Sequence, residues 1–147
     1  MESGELFARL RAAFPAEALD FEDALTGGTD GGEFREAVAG KNWTELDPVL
    51  IGRRSDVLSF LQPEYVVAVL PAFLLTLVGE GTSTGAPDTL LVVLDRDQEP
   101  RFDKISARMT EPQRAVVAEA LESYAAGTIG GQASAARHAI NGWRKKR

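Results

Sequence analysis

The segment Tyr65–Val78, YVVAVLPAFLLTLV, is the most apolar run in the chain, and it restricts the fold more than any other stretch. Pro63 and Glu64 stand at its start, where proline suits a first helical turn and an acid favours the positive end of the dipole. Gly79 and Gly81 follow as stop signals. A run of this length exceeds most strands and predicts a helix over 63–79. Its apolar residues cover nearly the whole circumference, so neighbouring protein should surround it. It falls short of the roughly 20 apolar residues that cross a bilayer. Pro71 interrupts the run, removes the usual donor to the Val67 carbonyl and predicts a kink at Leu70–Pro71 that curves the helix around the core.

The rest of the chain reads as helices packed on this pillar. Leu6, Phe7, Leu10 and Phe14 recur at helical spacing before Pro15. Ala16–Leu25 suggests a second short helix. Gly27-Gly28-Thr29-Asp30-Gly31-Gly32 reads as a loop, and Glu33–Ala39 as a helix closed by Gly40. Asp47 before Pro48 is a helix start, and Ser55 or Asp56 opens an apolar segment leading into the pillar.

After the loop Gly79–Pro87, Asp88 is read as the cap of Thr89–Leu94, which fits helix or buried strand; with no second strand to pair it, helix is favoured. Asp95–Arg108 is polar, with Phe102 and Ile105 as anchors. Thr110-Glu111-Pro112-Gln113 has the form of a capping box. The helix behind it presents Val116, Val117, Ala120, Leu121 and Tyr124 and stops at Gly127. A last helix, 132–144, shows Ala136, Ile140 and Trp143 on a thin apolar side and is expected to dock weakly. The expectation is an all-α, compact multi-helix single domain over residues 1–147, with a basic tail.

With 147 residues, no cysteine and 26% charged residues, the chain suits a single core in a reducing compartment, without disulfides or thiolate chemistry. Its N-terminus lacks the apolar stretch of a secretory signal, which together with the short pillar points to the cytoplasm and away from membranes. The net charge of −6 is unevenly spread: residues 1–100 hold 18 acids and 7 bases, residues 101–147 hold 4 acids and 9 bases. An acidic body argues against broad nucleic-acid binding and for a basic partner. The densest acidic stretch contains Glu17, Asp20, Glu22, Asp23, Asp30, Glu33 and Glu36, opposed only by Arg35. It is a solvated face or a landing patch for a basic protein, with Asp20, Glu22, Asp23, Asp30, Glu33 and Glu36 as the candidate contacts.

Catalytic signatures are weak. Gly79-x-Gly81-x-x-x-Gly85 has the wrong spacing and context for a dinucleotide loop, and no Gly-Lys-Ser/Thr appears. His138 is the sole histidine and has no carboxylate at helical contact spacing, so it reads as a surface residue. Asp95 and Asp97, with Glu99 nearby, would offer too few oxygens for a calcium loop and read as a solvated turn. No catalytic residue, metal site or cofactor is assigned.

Trp43, Phe60-Leu61-x-Pro63-Glu64, Leu70-Pro71-Ala72-Phe73-Leu74 and Leu121 behind Thr110-x-x-Gln113 together resemble a family of small uncharacterised bacterial helical proteins. The resemblance spans roughly residues 34–126 and implies a compact helical domain with no catalytic residues to carry over. In general style such proteins are similar to immunity proteins that neutralise toxins. The function expected is therefore a protein-binding one, an immunity-type inhibitor or adaptor that occludes a basic partner such as a toxin. The alternatives are a carboxylate enzyme, with or without a divalent ion at Asp95 and Asp97, and a small regulator that contacts nucleic acid through its basic C-terminus.

Overall fold

A computed structural model describes residues 2–17, 40–59, 61–78, 84–95, 97 and 100–144. Among them the chain is all-α: α1 (Ser3–Ala13), α2 (Pro48–Gly52), α3 (Pro63–Leu74), α4 (Ala86–Val93), α5 (Arg101–Ala107), α6 (Glu111–Gly127) and α7 (Gly131–Arg144). Short 3-10 turns lie at Trp43–Glu45, Ser55–Ser59 and Leu75–Leu77. The expected segments 16–25, 27–32 and 33–39 fall wholly or largely outside the described residues, as do Gly79 and Gly81. No helix of the described residues is long and apolar enough to cross a membrane.

Helix α3 is the pillar. Its first half is one-sided: Val66 and Val69 are buried, Glu64 is exposed, and Tyr65, Val67 and Ala68 are half-buried. From Leu70 to Leu77 every residue is buried. The α-helix stops at Leu74 rather than running to 79, and Leu75–Leu77 continue as a 3-10 turn. The Thr76 hydroxyl donates to the Phe73 carbonyl, so the one hydroxyl in this apolar stretch is satisfied locally.

The local start signals act as expected at two helices. The Asp47 side chain accepts from Val49 N at 2.9 Å, with Pro48 in the first turn of α2. At α6 the capping box is reciprocal: Gln113 N donates to Thr110 Oγ1 and Thr110 N donates to Gln113 Oε1. A second box, at Asn42-x-x-Glu45, opens the turn that carries buried Trp43.

The stretch 89–93 is helical, with Leu94 as its C-terminal cap, but the N-terminal cap differs from the expectation. Gly85 precedes the first residue of α4, and Pro87 lies in the first turn. Asp88 therefore falls inside the helix, and its carboxylate accepts from Gln132 Nε2 at 2.6 Å instead of capping. Gly52 lies so close to the turn before α4 that an added Cβ would sit 2.5 Å from Thr84 Oγ1. That close approach is open to glycine alone.

Helices α6 and α7 form a hairpin through Thr128–Gly130, where Gly130 has φ of 73°. Helix α7 buries Ala133, Ala136, Ala139 and Trp143, a broader apolar side than the three residues read from the sequence. Trp143 meets Phe102 of α5 edge-on, with centroids 5.1 Å apart. Phe7 of α1 packs against Trp43 at 5.5 Å, and Leu6, Leu10 and Phe14 enter the core from the same helix.

Candidate functional site

The six acids expected to meet a partner, Asp20, Glu22, Asp23, Asp30, Glu33 and Glu36, lie outside the described residues. Glu17, which leads into that stretch, is described and exposed. Glu2, at the N-terminal cap of α1, and Glu5, in its first turn, are exposed. The Arg9 guanidinium of this helix is held by Glu119 of α6, with Nη2 at 2.6 Å from Oε1 and Nε at 3.2 Å from Oε2. That hydrogen bond, and the carboxylate charge with it, raise the Arg9 pKa. In the basic tail, Arg144 is paired with Glu122, while Lys145, Lys146 and Arg147 lie outside the described residues.

The described residues bring together one group of side chains that sequence spacing separates. Chain departure from α4 places Asp95 and Asp97 on a turn in which Asp97 N donates to Asp95 Oδ1 at 2.9 Å. Helix α7 crosses this turn and delivers His138. Its Nε2 lies 2.9 Å from Asp97 Oδ2 and 3.4 Å from Asp95 Oδ1. The side chains are partly open: His138 is 48% exposed, Asp97 67% and Asp95 20%. His138 is thus a surface histidine, as expected, but one set between two carboxylates. Its partners are 41 and 43 positions away, which is why helical contact spacing missed them. Glu99 lies outside the described residues.

What holds this corner is a set of contacts between α7 and the segment around α4. Gln132 reaches Asp88 near the start of α4. Trp143 Nε1 donates to the Leu94 carbonyl at 2.8 Å, just before the turn. His138 stands between these two contacts along α7, so the imidazole is positioned from both sides. Chemically, the group offers an imidazole nitrogen and two carboxylates. It can form a charge-assisted pair when the ring is protonated, or present three donors to a cation when it is neutral.

Other polar groups inside the fold have structural partners. Arg101 of α5, absent from the sequence expectations, is half-buried and donates through Nη2 to the Leu58 and Leu61 carbonyls at 2.5 and 2.7 Å. Burial lowers its pKa, and the two carbonyls are what the guanidinium receives in exchange for water. Arg114 donates to the Met109 carbonyl at the α5–α6 junction. Buried Ser106 donates to the Asp103 carbonyl, and Ser55 shares a hydrogen bond with Thr89. The Trp43 indole nitrogen is the exception among the described residues, buried with no hydrogen-bond partner.

Comparison with protein-family models, curated proteins and solved structures returned no match.

Proposed function

We propose that this chain is a binding protein rather than an enzyme, and that its acidic N-terminal third occludes a basic surface of a partner protein. The observation that carries this reading is the charge of residues 17–36, where seven acids face a single base, Arg35. Like-signed charge at that density speeds the encounter with a basic surface and penalises acidic competitors. The contacts assigned are Asp20, Glu22, Asp23, Asp30, Glu33 and Glu36.

The described helices support the reading in a second way. Their buried polar side chains are each hydrogen-bonded: Gln113 caps a helix, Ser55 joins two elements through Thr89, and Thr76 and Ser106 bond to carbonyls three residues back. These bonds serve the scaffold. The kind of binding protein that suits this size and charge is an immunity-type inhibitor of a basic toxin, or an adaptor. The motif likeness to the small bacterial helical family belongs to this reading and brings no catalytic residue with it.

The test is charge reversal in the patch. Asp20→Lys with Asp23→Lys should slow association with the partner by about tenfold or more at low salt, with the difference shrinking as salt screens the field. Equal association at every ionic strength would refute the acidic-patch reading.

A further inference from the structure

The chain has one histidine and no cysteine, so it has a single side chain of the type that borderline transition metals prefer. That one imidazole sits against two carboxylates supplied by a separate element. From the juxtaposition of Asp95, Asp97 and His138 we infer that the turn after α4 and the face of α7 form a binding site for a divalent first-row transition ion, with Zn2+ as the representative. This inference stands apart from the acidic segment 17–36 and does not rest on the binding function proposed above.

Three observations carry it. The first is donor identity. One nitrogen and two carboxylate oxygens suit a borderline ion such as Zn2+, whereas Mg2+ and Ca2+ favour all-oxygen shells. The second is spacing. Metal–ligand bonds of about 2.1 Å set neighbouring donors about 3.0 Å apart at a right angle and about 3.4 Å apart at a tetrahedral angle. The observed distances from His138 Nε2, 2.9 Å to Asp97 Oδ2 and 3.4 Å to Asp95 Oδ1, fall on those values. One donor atom from each of the three residues lies within 4.8 Å of the other two.

The third is support. Trp143 and Gln132 fix α7 against Leu94 and Asp88, so the three donors converge on elements that are already joined. A site of this kind needs its ligands oriented by neighbouring contacts, and here the Asp97 amide holds the Asp95 carboxylate at 2.9 Å. Three protein donors leave the outer coordination positions to water, in keeping with the exposure of Asp97 and His138. The bound ion would bridge α7 to the turn.

The experiment uses tag-free full-length protein titrated with ZnCl2, followed by calorimetry and by the proton resonances of its single imidazole ring. The expected result is one Zn2+ per chain, with the His138 ring resonances shifting in step with the heat. Loss of an outer-shell partner alone costs metal sites about 10–100-fold in affinity, so His138→Ala should weaken binding by more than about a hundredfold. Asp97→Asn, at the most exposed donor, is the second variant and should weaken binding while leaving the circular dichroism spectrum unchanged. Zn2+ binding that leaves the imidazole resonances unmoved would overturn the inference. So would undiminished affinity in either variant, or an equal imidazole response to MgCl2.

Discussion

The indole nitrogen of Trp143 donates to the backbone carbonyl of Leu94 across 2.8 Å, joining the last helix to the residue that ends α4. The two residues are 49 positions apart, and the bond lies beside the edge-on contact of Trp143 with Phe102. One side chain thus ties α7 to both α4 and α5. It also sits one and a half helical turns beyond His138, so it fixes the approach of the imidazole to Asp95 and Asp97.

Trp143→Ala should therefore lower stability by about 3–5 kcal/mol, the range for truncating a buried tryptophan. Urea unfolding at neutral pH measures it. Trp143→Phe keeps much of the ring but leaves the Leu94 carbonyl without its donor, and should cost a further-separable part of about 1–3 kcal/mol. A loss below about 1 kcal/mol for the alanine variant would mean that α7 merely rests on the domain, within the range of a surface substitution.

Arg101 anchors the other side of α5. Its guanidinium spans the Leu58 and Leu61 carbonyls at the approach to the pillar, so Arg101→Met should destabilise the fold by about 1–3 kcal/mol even though methionine retains the apolar stem. Arg101→Lys should recover only part of the loss, because the lysine chain is one atom shorter and its ammonium falls short of the place where Nη2 meets both carbonyls. Equal stability of wild type and the methionine variant in urea would show that these carbonyls do not need the guanidinium.

Tyr124 supplies a pH dependence. Burial pushes its phenol pKa up; the Thr128 hydrogen bond opposes this and the Asp88 carboxylate adds to it. The folded protein thus holds this proton to higher pH than the unfolded chain does. Above the ordinary phenol pKa, about 10, the unfolded state binds fewer protons, so stability falls as pH rises toward the folded value. Melting temperatures from about pH 8 to 11 should drop more steeply in wild type than in Tyr124→Phe, the excess appearing above about pH 10. Parallel profiles would contradict the assignment.

The sequence made the local rules legible. Pro63, the apolar run behind it, Asp47-Pro48 and Thr110-x-x-Gln113 each specify a helix start through neighbouring atoms, and the structure realises them. The helix over 89–93 was read correctly in type, but its start was not, because Pro87 in the first turn moved the boundary upstream of Asp88. Asn42-x-x-Glu45 was equally readable as a capping box, although it opens a turn too short to show a periodic pattern. The α5 helix was hidden by its length and polarity, and Arg101 looked like any surface arginine. The approach of His138 to Asp95 and Asp97 was beyond local reading altogether. It depends on how α7 lies across the turn after α4, a tertiary relationship set by alanines and Trp143 rather than by any motif.

The most direct measurement for the central claim is partner capture from cells of the source organism at low salt, wild type against the Asp20→Lys/Asp23→Lys form, followed by rebinding of each purified captured protein. The account predicts one basic protein recovered in stoichiometric amount by the wild type, rebinding when pure, lost from the charge-reversed form and released by salt. Equal recovery by both forms, or a captured partner whose rebinding ignores salt, would contradict it.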